Sequence, residues 1–248
     1  MKMNVRGPAP LKRRGSYGID APYLLAVPAV LIVWNLIDAI THPRILPFAV
    51  TAILIATVCS GLYTSRRGKF QVWAALIDTL RLRGDEQILD LGCGRGAVLL
   101  TAARSLTTGR AVGVDIWSRS DQSGNSAVAT RRNADAEGVS DRVDLYTADM
   151  TALPFADDTF DAVFSNVAIH NVKGRRERDT AIGEALRVLR SGGRLMIADI
   201  FATGDYVDHL RVLGVRDLDR RSLGWRMWWG GPWLPTLLVT ATMPEQRA

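Results

Sequence analysis

Cysteine is nearly missing from this chain. Cys59 and Cys93 are the only two in 248 residues, which excludes a disulfide framework and fits a reducing compartment. Histidine is almost as scarce: His42, His170 and His209 lie far apart, no Cys/His cluster has the spacing of a zinc site, and no metal is expected. Acidic residues are missing from one end only. Residues 1–69 hold nine Lys or Arg against Asp20 and Asp38, whereas residues 70–248 hold 22 basic and 23 acidic residues. The overall charge of +6 therefore belongs to the N-terminal segment. A basic groove for nucleic acid is not expected on the remainder, and a basic segment beside apolar runs points instead to a membrane surface. No internal repeat is visible.

What is present divides the chain. Residues 1–20, with Lys12, Arg13 and Arg14 among Gly and Pro, read as a disordered basic lead. Residues 21–63 hold two apolar runs, Ala21 to Ile40 and Ile45 to Tyr63, separated by Thr41-His42-Pro43-Arg44. At about 1.5 Å per residue each run crosses a hydrocarbon core of about 30 Å as a helix, so a transmembrane hairpin is expected. A secretory signal is the rival for the first run, but a second run follows at once. A soluble amphipathic hairpin would need a wide polar face, which neither run has. Lys12, Arg13 and Arg14 precede the hairpin and Arg66, Arg67 and Lys69 follow it, against Arg44 alone in the turn; both termini and the domain beyond are thereby expected in the cytoplasm. Pro22, Pro28 and Pro47 should kink the runs or mark their ends, and Asn35 and Asp38 should reach headgroups near the turn. Residues 64–69 read as an extended link of about 20 Å at most, which holds a domain of residues 70–248 against the bilayer.

In that domain a helix is expected from Phe70 to about Leu82. Ile88-Leu-Asp-Leu-Gly-Cys-Gly-Arg-Gly96 is an apolar strand running into a glycine turn, where the backbone can pass close to a ligand. A helix to about Leu106 follows. Further strands are expected at Ala111 to Asp115, Val143 to Thr147, Phe160 to Asn166 and Arg194 to Asp199. Helices should cover Ser123 to Glu137 and Arg176 to Arg190, the second stopped by Gly192-Gly193. Strands alternating with helices imply an α/β fold, a mostly parallel sheet with helices on both faces. After a short helix at Tyr206 to Leu213, strands at Leu218 to Trp225 and Leu237 to Thr242 should close the sheet antiparallel, as a hairpin. Trp225, Trp228, Trp229 and Trp233 either rest at a membrane interface, wall an apolar pocket or pack this hairpin. Cys93 reads as a small residue tolerated in a crowded turn.

Ligands of an open parallel sheet gather beyond the carboxyl ends of its strands, and Gly92, Asp115, Asp149 and Asn166 fall there. Asp115, 23 residues past Gly92, stands where an acid can take the hydroxyls of a ribose, or else where it caps a turn. His170, four residues after Asn166, is placed either to take a proton near neutral pH or to cap its loop.

Taken in order, DLGCGRG, VGVDIW, TADMTALPFADDTFDAVFSNVAIHNV and EALRVLRSGGRLMIADI resemble the class I S-adenosylmethionine-dependent methyltransferases, in particular the bacterial small-molecule and quinone-type enzymes. The resemblance covers about residues 70–242 and leaves out the apolar runs. It implies a Rossmann-like seven-stranded sheet and S-adenosyl-L-methionine as cofactor. Gly92, Gly94 and Gly96 would pack on the methionine part, with Asp90 orienting the turn. Asp115 would hold the ribose, Ile116 would pack on the adenine, Asp149 would accept from the adenine amino group beside Met150, and Asn166 would line the methionine side. His170 is the candidate catalytic base. The expectation is a membrane-anchored methyltransferase for a small acceptor, either soluble or dissolved in the membrane as a quinone or isoprenoid would be. The alternative is a non-catalytic membrane adaptor that keeps the cofactor-binding fold. A nicotinamide dehydrogenase is disfavoured by the Gly-x-Gly-x-Gly spacing. A nucleic-acid methyltransferase is disfavoured by the charge of the domain and by Ser165-Asn-Val-Ala168 standing where an Asn/Asp-Pro-Pro-Tyr type tetrad would be.

Overall fold

The computed structural model describes residues 13–244 apart from Ala21, Pro43, Arg44, Arg119 and Arg216. The chain begins there as an extended segment, Arg13 to Asp20, that lies on the domain rather than free of it. The N–H groups of Arg14 and Gly15 and the hydroxyl of Tyr17 all donate to Glu137 Oε1, at 3.1, 2.9 and 2.8 Å. Tyr17 packs edge-on against Phe70 at 4.8 Å. The expected disorder is thus corrected for residues 13–20, where a buried carboxylate collects their donors; residues 1–12, with Lys12, lie outside the described residues.

Two helices follow, α1 (Pro22–Thr41) and α2 (Ile45–Tyr63), packed on one another. Pro22 opens α1, where its missing N–H costs nothing, Pro28 lies inside it, and Pro47 sits in the first turn of α2. The turn between them includes Pro43 and Arg44, outside the described residues. Both helices show apolar side chains to the exterior, among them Trp34 at 73 % exposure and Ile45 at 88 %. The expected extended link is absent. Thr64–Gly68 is a π-helical turn that runs straight into α3 (Lys69–Thr79), and the helix is continuous from Ile45 to Thr79 over 35 residues, with mean hydropathy 2.2 in its most apolar part. Among the described residues this is the one helix long and apolar enough to cross a membrane; the described apolar part of α1, Leu25–Thr41, is shorter. Two crossing helices are therefore not what the structure shows, although two apolar helices are.

A packed partner, not flexible chain, occupies the side of the junction. Thr64 Oγ1 donates to Trp228 O at 2.6 Å and Ser60 Oγ to the same oxygen at 3.1 Å. Gly68 meets the Arg226 carbonyl so closely that an added Cβ would lie 1.8 Å from it. The tryptophans divide here. Trp229 is buried and donates to Thr236 Oγ1, Trp225 stacks on Tyr63 at 5.1 Å with half its surface free, and Trp233 is exposed. Lys69, expected as a flanking surface charge, is 2 % exposed and paired with Asp20.

The domain is one sheet of seven strands, β1 (Gln87–Leu91), β2 (Arg110–Asp115), β3 (Val143–Thr147), β4 (Phe160–Asn166), β5 (Leu189–Asp199), β6 (Leu218–Ser222) and β7 (Leu237–Thr242), in the order β3-β2-β1-β4-β5-β7-β6. The first five pair in parallel, and β7 lies antiparallel between β5 and β6. The helices that complete it are α4 (Ala97–Ala103), α5 (Ala127–Glu137), α6 (Arg175–Arg187) and α7 (Thr203–Val212). Side chains alternate along each strand. Ile88, Ala111, Phe164 and Met196 join one core with Trp73, Leu76 and Leu99 of α3 and α4, while Leu89, Val112, Val163 and Leu195 join the other with Ile182, Leu186 and Leu210 of α6 and α7. Gly192-Gly193 does not stop a helix, because α6 has already ended at Arg187 and β5 has begun. Leu189 pairs with Phe160 and Arg194 with Ala162, so the glycines form a bulge, with Gly192 at φ +73.

Gly68→Ala must push the helix off the Arg226 carbonyl and should lower stability by about 1–3 kcal/mol, the usual cost of overpacking. Gly183→Ala in α6, where an added Cβ meets nothing, should be neutral or stabilising by up to about 1 kcal/mol. Thermal unfolding of both variants in detergent micelles checks the contrast.

Candidate active site

Burial of the sheet on both faces leaves the carboxyl tips of its strands as the place for polar groups. The first tip is the turn Gly92–Gly96. Gly92 and Gly94 have φ of +69 and +52, and an added Cβ would lie 2.3 Å from Ala168 Cβ at the former and 2.7 Å from Gln122 Oε1 at the latter. Only glycine fits both conformation and space. The turn is tied to the second tip, because Gly92 N–H and Cys93 N–H donate to Val114 O and Gly94 N–H donates to Asp115 Oδ2 at 2.7 Å. Gly96 stands at the start of α4.

Asp115 is buried. Besides Gly94, it accepts from Trp117 N–H at 2.5 Å and Asn125 Nδ2 at 3.3 Å, both on Oδ1. Burial pushes its pKa up against these donors. A carboxylate offers about four acceptor sites, so a lone pair of Oδ2 remains for an incoming hydroxyl. Ile116 beside it is 65 % exposed, an apolar surface suited to a flat ring. Asp149 is exposed and its Oδ1 accepts from the Thr151 N–H and hydroxyl, each at 2.8 Å. Met150 Cε reaches toward Gly92, 3.5 Å from where a Cβ would stand.

Asp90 is fully buried. Its Oδ2 accepts from Leu99 N–H at 2.9 Å in the first turn of α4, and its Oδ1 has no partner among the described residues. Burial drives its carboxyl up to about 8, the Leu99 N–H opposing and the Asp115 charge adding. A glycine cradle, an unmatched buried acceptor and an uncovered apolar side chain together fit a ligand with donors, hydroxyls and a flat ring.

At the tip of β4, Asn166 Oδ1 accepts from the indole N–H of fully buried Trp73 at 2.8 Å. His170 follows on a 3-10 turn, Ile169–Asn171. Its Nδ1 lies 2.5 Å from Asp199 Oδ1 at the tip of β5, and its backbone N–H donates to Asp199 Oδ2 at 3.1 Å. Asp199 is inaccessible and also accepts from Ile200 N–H at 2.8 Å and Tyr206 Oη at 3.1 Å. With a carboxylate on that side, Nδ1 carries the proton and Nε2 is left as the acceptor. Burial and the Asp199 charge raise the Tyr206 phenol, keeping it a donor. Phe201 stands edge-on to His170 at 5.8 Å and is half exposed. Among the described residues, three of the five non-glycine residues with positive φ, Trp117, Val167 and Ala202, sit at the tips of β2, β4 and β5, so backbone strain gathers where the polar groups do.

Residues 89–197 match the family model described as a methyltransferase domain. The match runs from β1 to β5 and covers less than half of the chain. Over 133 residues it is 35 % identical to the ubiquinone/menaquinone biosynthesis C-methyltransferase of Roseobacter denitrificans, covering 53 % of this chain and 50 % of that protein. Over 131 residues it is 33 % identical to the sterol 4-C-methyltransferase of Caenorhabditis elegans, covering 53 % and 36 %. The chain thus spans half or less of the length of these relatives. The [4+2]-cyclase SpnF superposes with a TM-score of 0.55 over 69 % of this chain and 81 % of its own, at 23 % identity, a likeness of fold.

In the domain that holds this match the structure brings Asp90, the glycine turn, Asp115, Ile116, Met150, Asn166 and His170 to one row of strand tips, with Asp149 on an exposed turn beside them. Sequence reasoning missed Asp199, Tyr206 and Trp73. Asp199 carries the same signal as Asp115, an apolar strand ending in an acid; Tyr206 and Trp73 look like ordinary helix core residues.

The pKa of Asp90 has a consequence for stability. An unfolded aspartate titrates near about 3.9, so between about pH 4 and pH 8 the ligand-free fold holds a proton that the unfolded chain has released, and stability falls as pH rises through that window. Asp90→Asn should flatten this slope, gaining stability over the parent from pH 5 to pH 8, as denaturant titrations at the two pH values would show.

Proposed function

We propose that the chain is a membrane-anchored methyltransferase that transfers a methyl group from S-adenosylmethionine to a small lipophilic acceptor, with His170 as general base. The observation that carries the reading is the His170–Asp199 pair, held at the strand tips beside the glycine turn: Ala168, two residues before His170, touches the space over Gly92. Bound at the turn, S-adenosylmethionine would supply an electrophilic methyl group. Gly92 and Gly94 let the backbone close on it, and Asp115 takes a ribose hydroxyl through its free lone pair. Ile116 would pack on the adenine and Asp149 would accept from its amino group, while Asp90 Oδ1 would gain a donor. Asn166, its amide fixed by Trp73, lines the methionine side. His170 Nε2 takes the proton that the acceptor loses, and Asp199 stabilises the imidazolium formed. Positioning supplies the rest of the rate.

A lipophilic acceptor is supported by three features. Phe201 offers an apolar wall next to the base. The relatives include C-methyltransferases whose names specify ubiquinone/menaquinone biosynthesis and a sterol. The helix that bears Trp73 is also the continuation of the apolar helix α2, so the pocket stands directly at the end of the segment read as the anchor. Membrane residence is supported by the apolar exterior of α1 and α2, since no protein surface covers Val30, Trp34, Ile40 or Leu46. With Arg66 and Arg67 exposed at the domain end of α2, the reading places the domain on the cytoplasmic side.

Labelled methyl transfer from S-adenosylmethionine into total cell extract, followed by identification of the product, tests the activity. Label should enter the lipid-soluble fraction, and label confined to the aqueous fraction would overturn the acceptor class. His170→Ala and Asp199→Asn should each lower turnover by about 10²–10⁴-fold with little change in cofactor affinity. Asp115→Ala should weaken S-adenosylhomocysteine binding by about 10- to 100-fold, as expected for loss of a charged hydrogen-bond acceptor. The full chain should stay in the membrane pellet through an alkaline carbonate wash; its release would remove the anchor from the proposal.

A further inference from the structure

The outer side of the glycine turn is held by a residue far from any strand tip. Arg95 N–H, in the turn itself, donates to Gln122 Oε1 at 2.8 Å, and the same oxygen bounds the space over Gly94. Gln122 Nε2 donates to Asp20 Oδ1 at 2.6 Å. With a carboxylate on one side and an N–H on the other, the amide has one workable orientation. Asp20 Oδ2 accepts from Lys69 Nζ at 2.5 Å and from Ser65 Oγ at 2.9 Å, and Asp20 N–H donates back to Ser65 Oγ at 3.0 Å. Ser65 and Lys69 lie at the junction of α2 and α3 and are almost wholly buried, as is Gln122. The backbone of the segment is pinned alongside: Asp20 bridges Gln122 as a short antiparallel pair, Ile19 N–H donates to Ser123 Oγ, and Arg95 Nη1 donates to Ser123 O.

We infer that Asp20 is a positioning residue for cofactor binding: fixed by Lys69 and Ser65 of the apolar helix, it orients Gln122, which holds the glycine turn through the Arg95 N–H. This rests on the reading of the turn as the cofactor cradle. A carboxylate accepting from an ammonium, a hydroxyl and an amide is far more than is needed to fasten a surface segment, and every donor converges on the one atom group that leads to the turn. The arrangement also makes the continuous helix from Ile45 to Thr79 part of the framework of the cofactor site, since the Lys69 and Ser65 ends of the chain of bonds sit on it. Asp20 acts on the turn through Gln122, and its effect is therefore on cofactor affinity and not on the methyl-transfer step.

Calorimetric titration of the full chain in detergent micelles with S-adenosylhomocysteine tests the inference, with thermal unfolding run alongside. Asp20→Asn should weaken binding by about tenfold, the equivalent of one hydrogen-bonded support. Combining it with Gln122→Glu reverses the polarity of the pair, since an amide at 20 can donate to a carboxylate at 122 that still accepts from Arg95, and affinity should return to within about threefold of the parent, as for one restored hydrogen bond. Because Asp20→Asn leaves Lys69 buried and unpaired, which can cost the fold, the double variant Asp20→Ala with Lys69→Met removes both charges together. It should fold and still bind about tenfold more weakly. Parent affinity in folded Asp20→Asn and in the charge-free double variant, with only the melting temperature lowered, would overturn the inference and leave a plain structural clasp. Failure of the parent chain itself to bind would instead overturn the cofactor reading, and the inference with it.

Discussion

A sheet buried on both faces has one place left for exposed chemistry, and that constraint organises this domain. Along β1, β2, β4 and β5 successive side chains alternate between two apolar cores. A polar group on either face would be desolvated without a partner. Where the strands end the constraint lifts, and Asp115, Asn166 and Asp199 stand at the ends of β2, β4 and β5. Asp90 is the exception, one residue inside the end of β1, and its environment shows the consequence: one oxygen partnered by Leu99 N–H, the other unmatched among the described residues, and an affinity for the proton raised by burial. The strained backbone at Trp117, Val167 and Ala202 belongs to the same picture, since the chain leaves each strand abruptly to keep its polar groups at the tip.

The apolar N-terminal helices are joined to this domain by structure and not by slack. A π-helical turn lets α2 pass into α3 without a break, and the turn is wedged against the 225–228 segment by the Thr64 hydroxyl and the bare Cα of Gly68. The helix therefore carries a surface that only lipid or another apolar body would cover at one end and Trp73, the hydrogen-bond partner of Asn166, at the other. Few residues separate the two environments. A flexible link would have let the domain turn freely over the two apolar helices, whereas the continuous helix gives the pocket a set direction relative to α1 and α2.

Much of the sheet was legible in the sequence, because strands β3, β4 and β7 are short runs rich in apolar and β-branched or aromatic residues, bounded by polar and turn residues. The glycine turn and Asp115 were legible for the same reason, as an apolar run interrupted by residues with no place in a core. Legibility failed where the partner of a residue is distant in the chain. Lys69 reads as a basic flank, and only the carboxylate of Asp20, 49 residues earlier, makes its burial possible. Arg13 to Asp20 reads as a lead with nothing to pack, because Glu137 and Gln122, which hold it, lie more than 100 residues on. Gly192-Gly193 reads as a stop and is a bulge, since the deciding fact is a register shift against Phe160 and Ala162 on another strand. Asp199 was within reach, for it ends an apolar strand as Asp115 does, but its pairing with His170 is a tertiary fact.

The fold alone does not decide the chemistry. A [4+2]-cyclase shares it at a TM-score of 0.55, and one scaffold serves unrelated reactions through the residues placed at its strand tips. The discriminating feature in this chain is therefore the group beside the turn. Asp199 accepts four hydrogen bonds, from two backbone N–H groups, the Tyr206 hydroxyl and the His170 ring, which exhausts its capacity. A carboxyl group so placed has no acceptor sites left for a substrate, and its influence reaches the site through the imidazole. An arrangement of that kind serves a reaction in which a proton leaves the acceptor as a bond to carbon forms, and it offers little to a transfer that needs approach alone. Under the proposed function, the pairing of a closed carboxyl group with a histidine at the strand tips thus favours an acceptor that must be deprotonated over one whose lone pair is already free.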